Sequence, residues 1–210
     1  MALPGKRLDK ASIHRAFLLA IQNKMEPLAT QLIKIDEHVN QIDNNNRSAL
    51  WYSADLGLRK VTAALIKNKR APVNHADVNG YTALARAISR GHLQITKLLI
   101  SSGASLDTLT SEKNTLLMLS VLSEKNEITK FLLTKAIDIN AKNIGGDTAL
   151  MLAAATGQEA MVDSLIKAGA NPQIRNLDDQ NAYQIAIDSG HKKTADLIEE
   201  NSNALFKLFN

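Results

Sequence analysis

A chain of 210 residues that is 45% apolar but only 4% aromatic can fill one elongated domain or two small ones, with a core of Leu, Ile and Ala. Such a composition suits stacked helices better than a β-sandwich. The absence of cysteine excludes disulfides, thiol nucleophiles and cysteine-ligated zinc, and the net charge of +4, with its two signs mixed along the chain, does not by itself call for nucleic acid.

The opening MALPGKRLDK lacks the apolar centre of a secretory leader, and no later run is long enough to span a bilayer. The expectation is a cytoplasmic chain with no membrane contact. Ser12 to Asp36 reads as a first helix pair, with Pro27 in the first turn of its second helix. Four fuller pairs follow at Ser48–Lys67, Thr82–Ser101, Thr115–Thr134 and Thr148–Lys167, and a last one at Asn181–Glu200. The pair starting at Thr148 is the most regular. Gly145-Gly146 turn the chain, and Thr148 stands at the N-cap of the apolar run Ala149 to Ala155. Gly157 breaks that run, Met161, Val162, Leu165 and Ile166 recur at helical spacing, and Gly169 supplies a left-handed stop.

Three ladders run in phase through the pairs at steps of 33, with one step of 34. The first is Phe17, Leu50, Leu84, Leu117, Leu150 and Tyr183. Three residues on stand Ala20, Ser53, Ala87, Ser120, Ala153 and Ala186, small enough for neighbouring first helices to approach closely. In the second helices the ladder is Leu32, Leu65, Leu99, Leu132, Leu165 and Ile198. Asn40, Asn74, Asp107, Asn140 and Gln173 form a polar ladder in the exit loops, and the one-residue insertion falls around Asn68–Pro72.

TALARAISRGHLQITKLLISSGAS (Thr82–Ser105) and DTALMLAAATGQEAMVDSLIKAGANP (Asp147–Pro172) resemble ankyrin repeats, and the resemblance extends from about Ser12 to Asn201. It implies an all-α solenoid of about six helix-turn-helix units with a hairpin loop per repeat. One domain, 1–210, then divides into a capping unit at 12–43, full repeats at 44–76, 77–109, 110–142 and 143–175, a second cap at 176–201 and a tail at 202–210. The repeat from Thr115 departs most: Glu124 replaces the inter-helix glycine, and Ala136-Ile137 stand where Gly169-Ala170 stand later. If the backbone stays left-handed, each non-glycine there costs about 1–2 kcal/mol, which would make this repeat a local weak point. The last pair carries a polar outer face (Asp188, Lys192, Lys193, Asp196, Glu199, Glu200), as a terminal repeat needs. The apolar tail with Leu205, Phe206, Leu208 and Phe209 is expected either to fold back over the last repeat or to serve as a docking or secretion signal.

No catalytic or metal constellation is legible, so no enzyme activity and no cofactor are expected. His14, His38, His75, His92 and His191 are scattered, and none pairs at i, i+4. His92 and His191 follow the inter-helix glycine, where the family often has histidine for structural reasons. The resemblance implies a monomer that binds a partner protein on its concave face, as an adaptor, an inhibitor or a bacterial effector delivered into a host cell. The candidate partner-binding residues are Arg47, Trp51, Tyr52, Asn79, Tyr81, Arg86, Ser89 and Arg90, since aromatic and arginine side chains dominate interface hot spots. Trp51, at the family's motif histidine, either fills space between first helices or contacts the partner. Arg86 has little structural reason to stand beside Tyr52 and is read as interfacial. The alternative is nucleic-acid or anion binding through basic residues of the early repeats, with Arg59, Lys60, Lys67, Lys69 and Arg70 as a further patch that also suits a helix C-terminus.

Overall fold

The computed structural model describes residues 10–35, 39–68 and 71–208. Twelve helices are present among them: α1 Lys10–Gln22, α2 Glu26–Leu32, α3 Ala49–Asp55, α4 Arg59–Lys67, α5 Ala83–Arg90, α6 Leu93–Ser101, α7 Leu116–Leu122, α8 Asn126–Leu133, α9 Ala149–Ala155, α10 Glu159–Lys167, α11 Ala182–Asp188 and α12 Lys192–Leu208. The chain forms two compact units, Met1–Ser105 and Leu106–Asn210. In the first, α3 packs on α1, α4 and α5, while α4 lies between α2 and α6; in the second, α9 packs on α7, α10 and α11, while α10 meets α8 and α12.

Each first helix from α3 onward starts the same way. Ser48, Thr82, Thr115, Thr148 and Asn181 hold an extended backbone, and their side-chain oxygens accept from the amides of Trp51, Ala85, Met118, Met151 and Gln184. Each such cap is worth about 1 kcal/mol to a helix too short to stand alone. Between paired helices one residue is always left-handed: Lys24, Gly57, Gly91, Glu124, Gly157 and Gly190, with φ from 56° to 82°. Glu124 therefore carries the strain expected of it. Ala136 does not, because no positive φ occurs there, whereas Gly103 and Gly169 have φ of 87° and 99°. Of the two positions expected to strain this repeat, only Glu124 is left-handed.

A glycine at this bend does a second job. A Cβ on Gly57 would sit 2.7 Å from the His92 ring, and one on Gly157 would sit 2.5 Å from His191. The histidine of one repeat lies over the bend of the repeat before it. Where that bend is Glu124, the following repeat carries Gln158 instead, whose amide donates to the Val121 carbonyl at 3.2 Å.

The hairpin loops, which neither periodicity nor capping revealed, rest on a second polar ladder. Asp43, Asp77, Asn143 and Asn176 each accept with Oδ1 from two amides of their own tip, at i+2 and i+4. A left-handed residue turns each tip: Asn46, Gly80, Lys113, Gly146 and Asp179. The exit-loop ladder acts as a clamp. Asn74 donates to the Gly103 carbonyl and accepts from Ser105, and Asn140 does the same with Gly169 and Asn171.

The first anchor ladder is buried from Phe17 to Leu150, while Tyr183 is half-buried at the end. The third is buried except at Leu32, where Ile33 takes the core place. The small-residue ladder is wholly buried, yet its hydroxyls report a contact other than the expected one. Thr62 donates to Ser53 at 3.0 Å, and Thr129 to Ser120 at 2.8 Å, so these positions face the second helix of their own pair. In the α5–α6 pair Ala87 stands where serine would, and the buried hydroxyl of Thr96 is left without a partner.

The polar residues expected on the last pair are all exposed. Its second helix runs on to Leu208, with no turn at the boundary expected near 202. Lys69, Arg70, His38 and Phe209, and the side chains of Leu205, Phe206 and Leu208, lie outside the described residues.

Candidate functional site

Trp51 is the centre of the arrangement in the first unit. The Ser48 cap starts α3 so that Trp51 falls on its inner side, only 4% exposed. Two guanidiniums stack on its ring, Arg47 and Arg86 each with Cζ 4.8 Å from the ring centroid. Tyr52 meets it edge-on, with centroids 5.1 Å apart and planes at 75°. Arg86 comes from α5 of the next pair and lies also 5.2 Å from the Tyr81 ring. Guanidinium–aromatic stacking of this kind adds attraction without removing the donors on the guanidinium edge.

Two carboxylates hold the rings and cations in place. Asp55, one turn after Trp51, accepts with Oδ1 from Arg86 Nη2 at 2.6 Å, Arg86 Nε at 2.9 Å and Arg90 Nε at 2.9 Å. Its main-chain carbonyl pairs with His92 Nε2 at 3.2 Å, which ties the bend of one repeat to the cluster. Asp43 accepts from the Tyr52 hydroxyl at 2.6 Å while it organises its own hairpin tip. Burial pushes both acids up, but the bonds from Arg90 and Arg86 at Asp55 outweigh it, as do those from Tyr52, Arg47 and Asn45 at Asp43. Both end below the usual carboxylate range. Burial, then the bond to Asp43, raises the Tyr52 phenol, and the Tyr52 hydroxyl helps keep Arg47 charged.

Six of the eight expected residues converge here: Arg47, Trp51, Tyr52, Tyr81, Arg86 and Arg90. Two do not. Asn79 is exposed on the hairpin tip, and the Ser89 hydroxyl turns back to the Ala85 carbonyl within its own helix. Of the two readings of Trp51, its 4% exposure favours the filler of space over the partner contact, since it presents almost nothing outward. Arg86 does have a structural reason, since it joins Asp55, Trp51 and Tyr81 and is 21% exposed. Arg90, at 53%, is the open cation of the group. The carboxylates of Asp43 and Asp55 are not among the eight candidates. The available signal was charge complementarity between first helices, with Asp55 in one and Arg86 and Arg90 in the next.

Elsewhere on the first unit, a groove of about 460 Å³ between α4 and α6 is lined by Arg59, Lys60, Lys97, Ala63 and Leu98. In the second unit a smaller apolar hollow of about 170 Å³ lies beside Ile137, with Leu106, Leu116 and Leu132 in its walls. Among the described residues no group of three or more His, Asp or Glu could hold a metal ion, and no helix is long and apolar enough to cross a membrane.

Comparison with known proteins agrees with the geometry. The family model described as ankyrin repeats (3 copies) matches three overlapping stretches, residues 17–110, 71–143 and 117–206. The chain is 28% identical over 91 residues to the nuclear factor NF-kappa-B p105 subunit of Rattus norvegicus, a match covering 42% of this chain and 9% of that protein. It is 34% identical over 95 residues to delta-latroinsectotoxin-Lt1a of Latrodectus tredecimguttatus, covering 44% of this chain and 8% of that protein. The chain thus aligns with less than a tenth of each of these relatives. Capped helix pairs, left-handed bends, hairpin tips and the matched stretches all lead to one conclusion: this chain belongs to the ankyrin repeat family.

Proposed function

We propose that the chain binds a partner protein on the first-helix face of its first unit, around Tyr52, Tyr81, Arg86 and Arg90, with Asn79 at the rim. Ankyrin repeats are in general protein–protein interaction modules. The observation that carries the choice of face is the buried Trp51 with arginines stacked on it and Asp55 fixing them. Such an array presents guanidinium and phenol groups already locked in rotamer, so little side-chain freedom is lost on association. Arginine and tyrosine held in this way are the residue types that dominate binding energy at interfaces. The role is equilibrium recognition by a monomer, without chemistry on the partner. A cytoplasmic setting belongs to the same reading, supported by the cysteine-free composition.

The test is an affinity capture with mass spectrometry using two double variants. Asn79→Ala/Arg90→Ala changes two exposed groups of this face and leaves the Trp51 stack intact. Asp178→Ala/Gln184→Ala changes two exposed groups of the second unit. The first is expected to lose the partners that wild type captures, and the second to keep them. Retention by the first and loss by the second would place the binding face elsewhere.

A further inference from the structure

Two guanidiniums share one carboxylate oxygen at the outer edge of the cluster. Arg86 donates to Asp55 through Nε and Nη2, and Arg90 through Nε alone. That stoichiometry leaves one unit of positive charge there, together with Nη1 of Arg86 and both Nη groups of Arg90 as donors. Asp55 is 13% exposed at its side chain and is covered by the arginines it binds, whereas Arg90 is 53% exposed. Behind them lie two buried donors without an acceptor, Trp51 Nε1 and Arg47 Nε. The whole edge is therefore short of acceptors.

We propose that Arg86 and Arg90 receive an acidic side chain of the partner, an aspartate or glutamate whose carboxylate joins the unused Nη donors. Its neighbouring apolar residue would lie against the half-buried Tyr81 ring. This rests on the reading that the partner docks on this face. A planar carboxylate matches the fork of guanidinium donors, and a single negative charge matches a single excess positive one. A strand of nucleic acid fits less well. Its closely spaced phosphates would run past Asp43 and Asp55, both held charged by their hydrogen bonds. The stacking on Trp51 and Tyr81 fixes the plane of Arg86, so the donors point one way before the partner arrives.

The probe is a displayed library of random dodecapeptides selected on the wild-type chain, followed by affinity measurements on three enriched peptides. The expected result is enrichment of Asp or Glu at one position. Replacing that acid by its amide, or making Arg90→Gln in the protein, should each weaken binding by about three- to tenfold, and the two together little more than either alone. Tyr81→Ala should also weaken the same peptides. Peptides that depend on Tyr81 but ignore both Arg90→Gln and the amide replacement would overturn the acidic reading and leave the face standing. Peptides indifferent to all three changes, or no enriched family at all, would overturn both. A single-stranded oligonucleotide is the remaining arm: binding that falls steeply with salt and is lost in Arg90→Gln would replace the acidic peptide with nucleic acid.

Discussion

After the buried leucine that anchors each first helix, the first unit carries Trp51 and the second carries Met118 and Met151, all three buried. One residue further the first unit has Tyr52, joined to Asp43, and the second has Leu119 and Leu152. Where Asp55 gathers two arginines, the second unit presents Leu122, 47% exposed. The caps, bends and tips beneath these side chains are the same in both. The caps and left-handed bends thus recur without the aromatic and arginine groups of the first unit, while Asp43 serves both its hairpin tip and Tyr52. The side chains proposed to bind a partner and those that build the frame occupy different positions of one repeat, so substitutions can separate them.

The largest effect should come from attacking the shared frame where no binding group lies. Gly157→Ala puts a Cβ at 2.5 Å from His191 on a residue with φ of 68°. Left-handed strain and overpacking together predict a loss of about 2–5 kcal/mol in urea denaturation. A loss under about 1 kcal/mol would show that the histidine moves aside freely. Asp55→Asn in the first unit should be milder, about 1–3 kcal/mol, because it weakens charge-assisted bonds and leaves the frame intact.

Acid separates the two units in the same direction. The folded pKa values of Asp43 and Asp55 are depressed, so the stability they contribute is present above the ordinary carboxylate range and is lost as pH falls below about 4 toward the folded values. Amide exchange through that window should loosen α3 and α5 before α9 and α10. Asp55→Asn should remove part of that difference, and equal loosening of both units would contradict the assignment. The smallest change runs the other way. Ala87→Ser gives the unpartnered hydroxyl of Thr96 the partner that Thr62 and Thr129 already have in Ser53 and Ser120. It should add about 0.5–1.5 kcal/mol, read as a raised melting temperature.

Much of the frame was legible in the sequence because it repeats. The anchors, the caps at Thr82 and Thr148 and the glycine bends recur at fixed spacing, and recurrence separates signal from chance. The hairpin tips were less legible, since the ladder that builds them changes from Asp43 to Thr110 to Asn143 and is recognised by its hydrogen bonds rather than by one residue type. The small-residue ladder is legible by its spacing, but spacing alone does not say which neighbouring helix a side chain faces, so the bonds of Ser53 and Ser120 to the second helix of their own pair appear only in the structure. The site shows the same limit. Aromatic and arginine residues stand out as departures from the repeat, so the six that cluster in the structure are legible as candidates. Their arrangement does not follow from it, because Trp51 is stacked partly by Arg86, which arrives from another pair and is fixed by Asp55.

The central claim is that recognition belongs to the first unit's cluster and the second unit's face is frame alone. It is tested most directly by calorimetric titration of one captured partner into the two double variants, Asn79→Ala/Arg90→Ala and Asp178→Ala/Gln184→Ala. The first should bind about tenfold or more weakly, about 1.4 kcal/mol, and the second within about twofold of wild type. Wild-type affinity in the first variant with a loss in the second would contradict the claim.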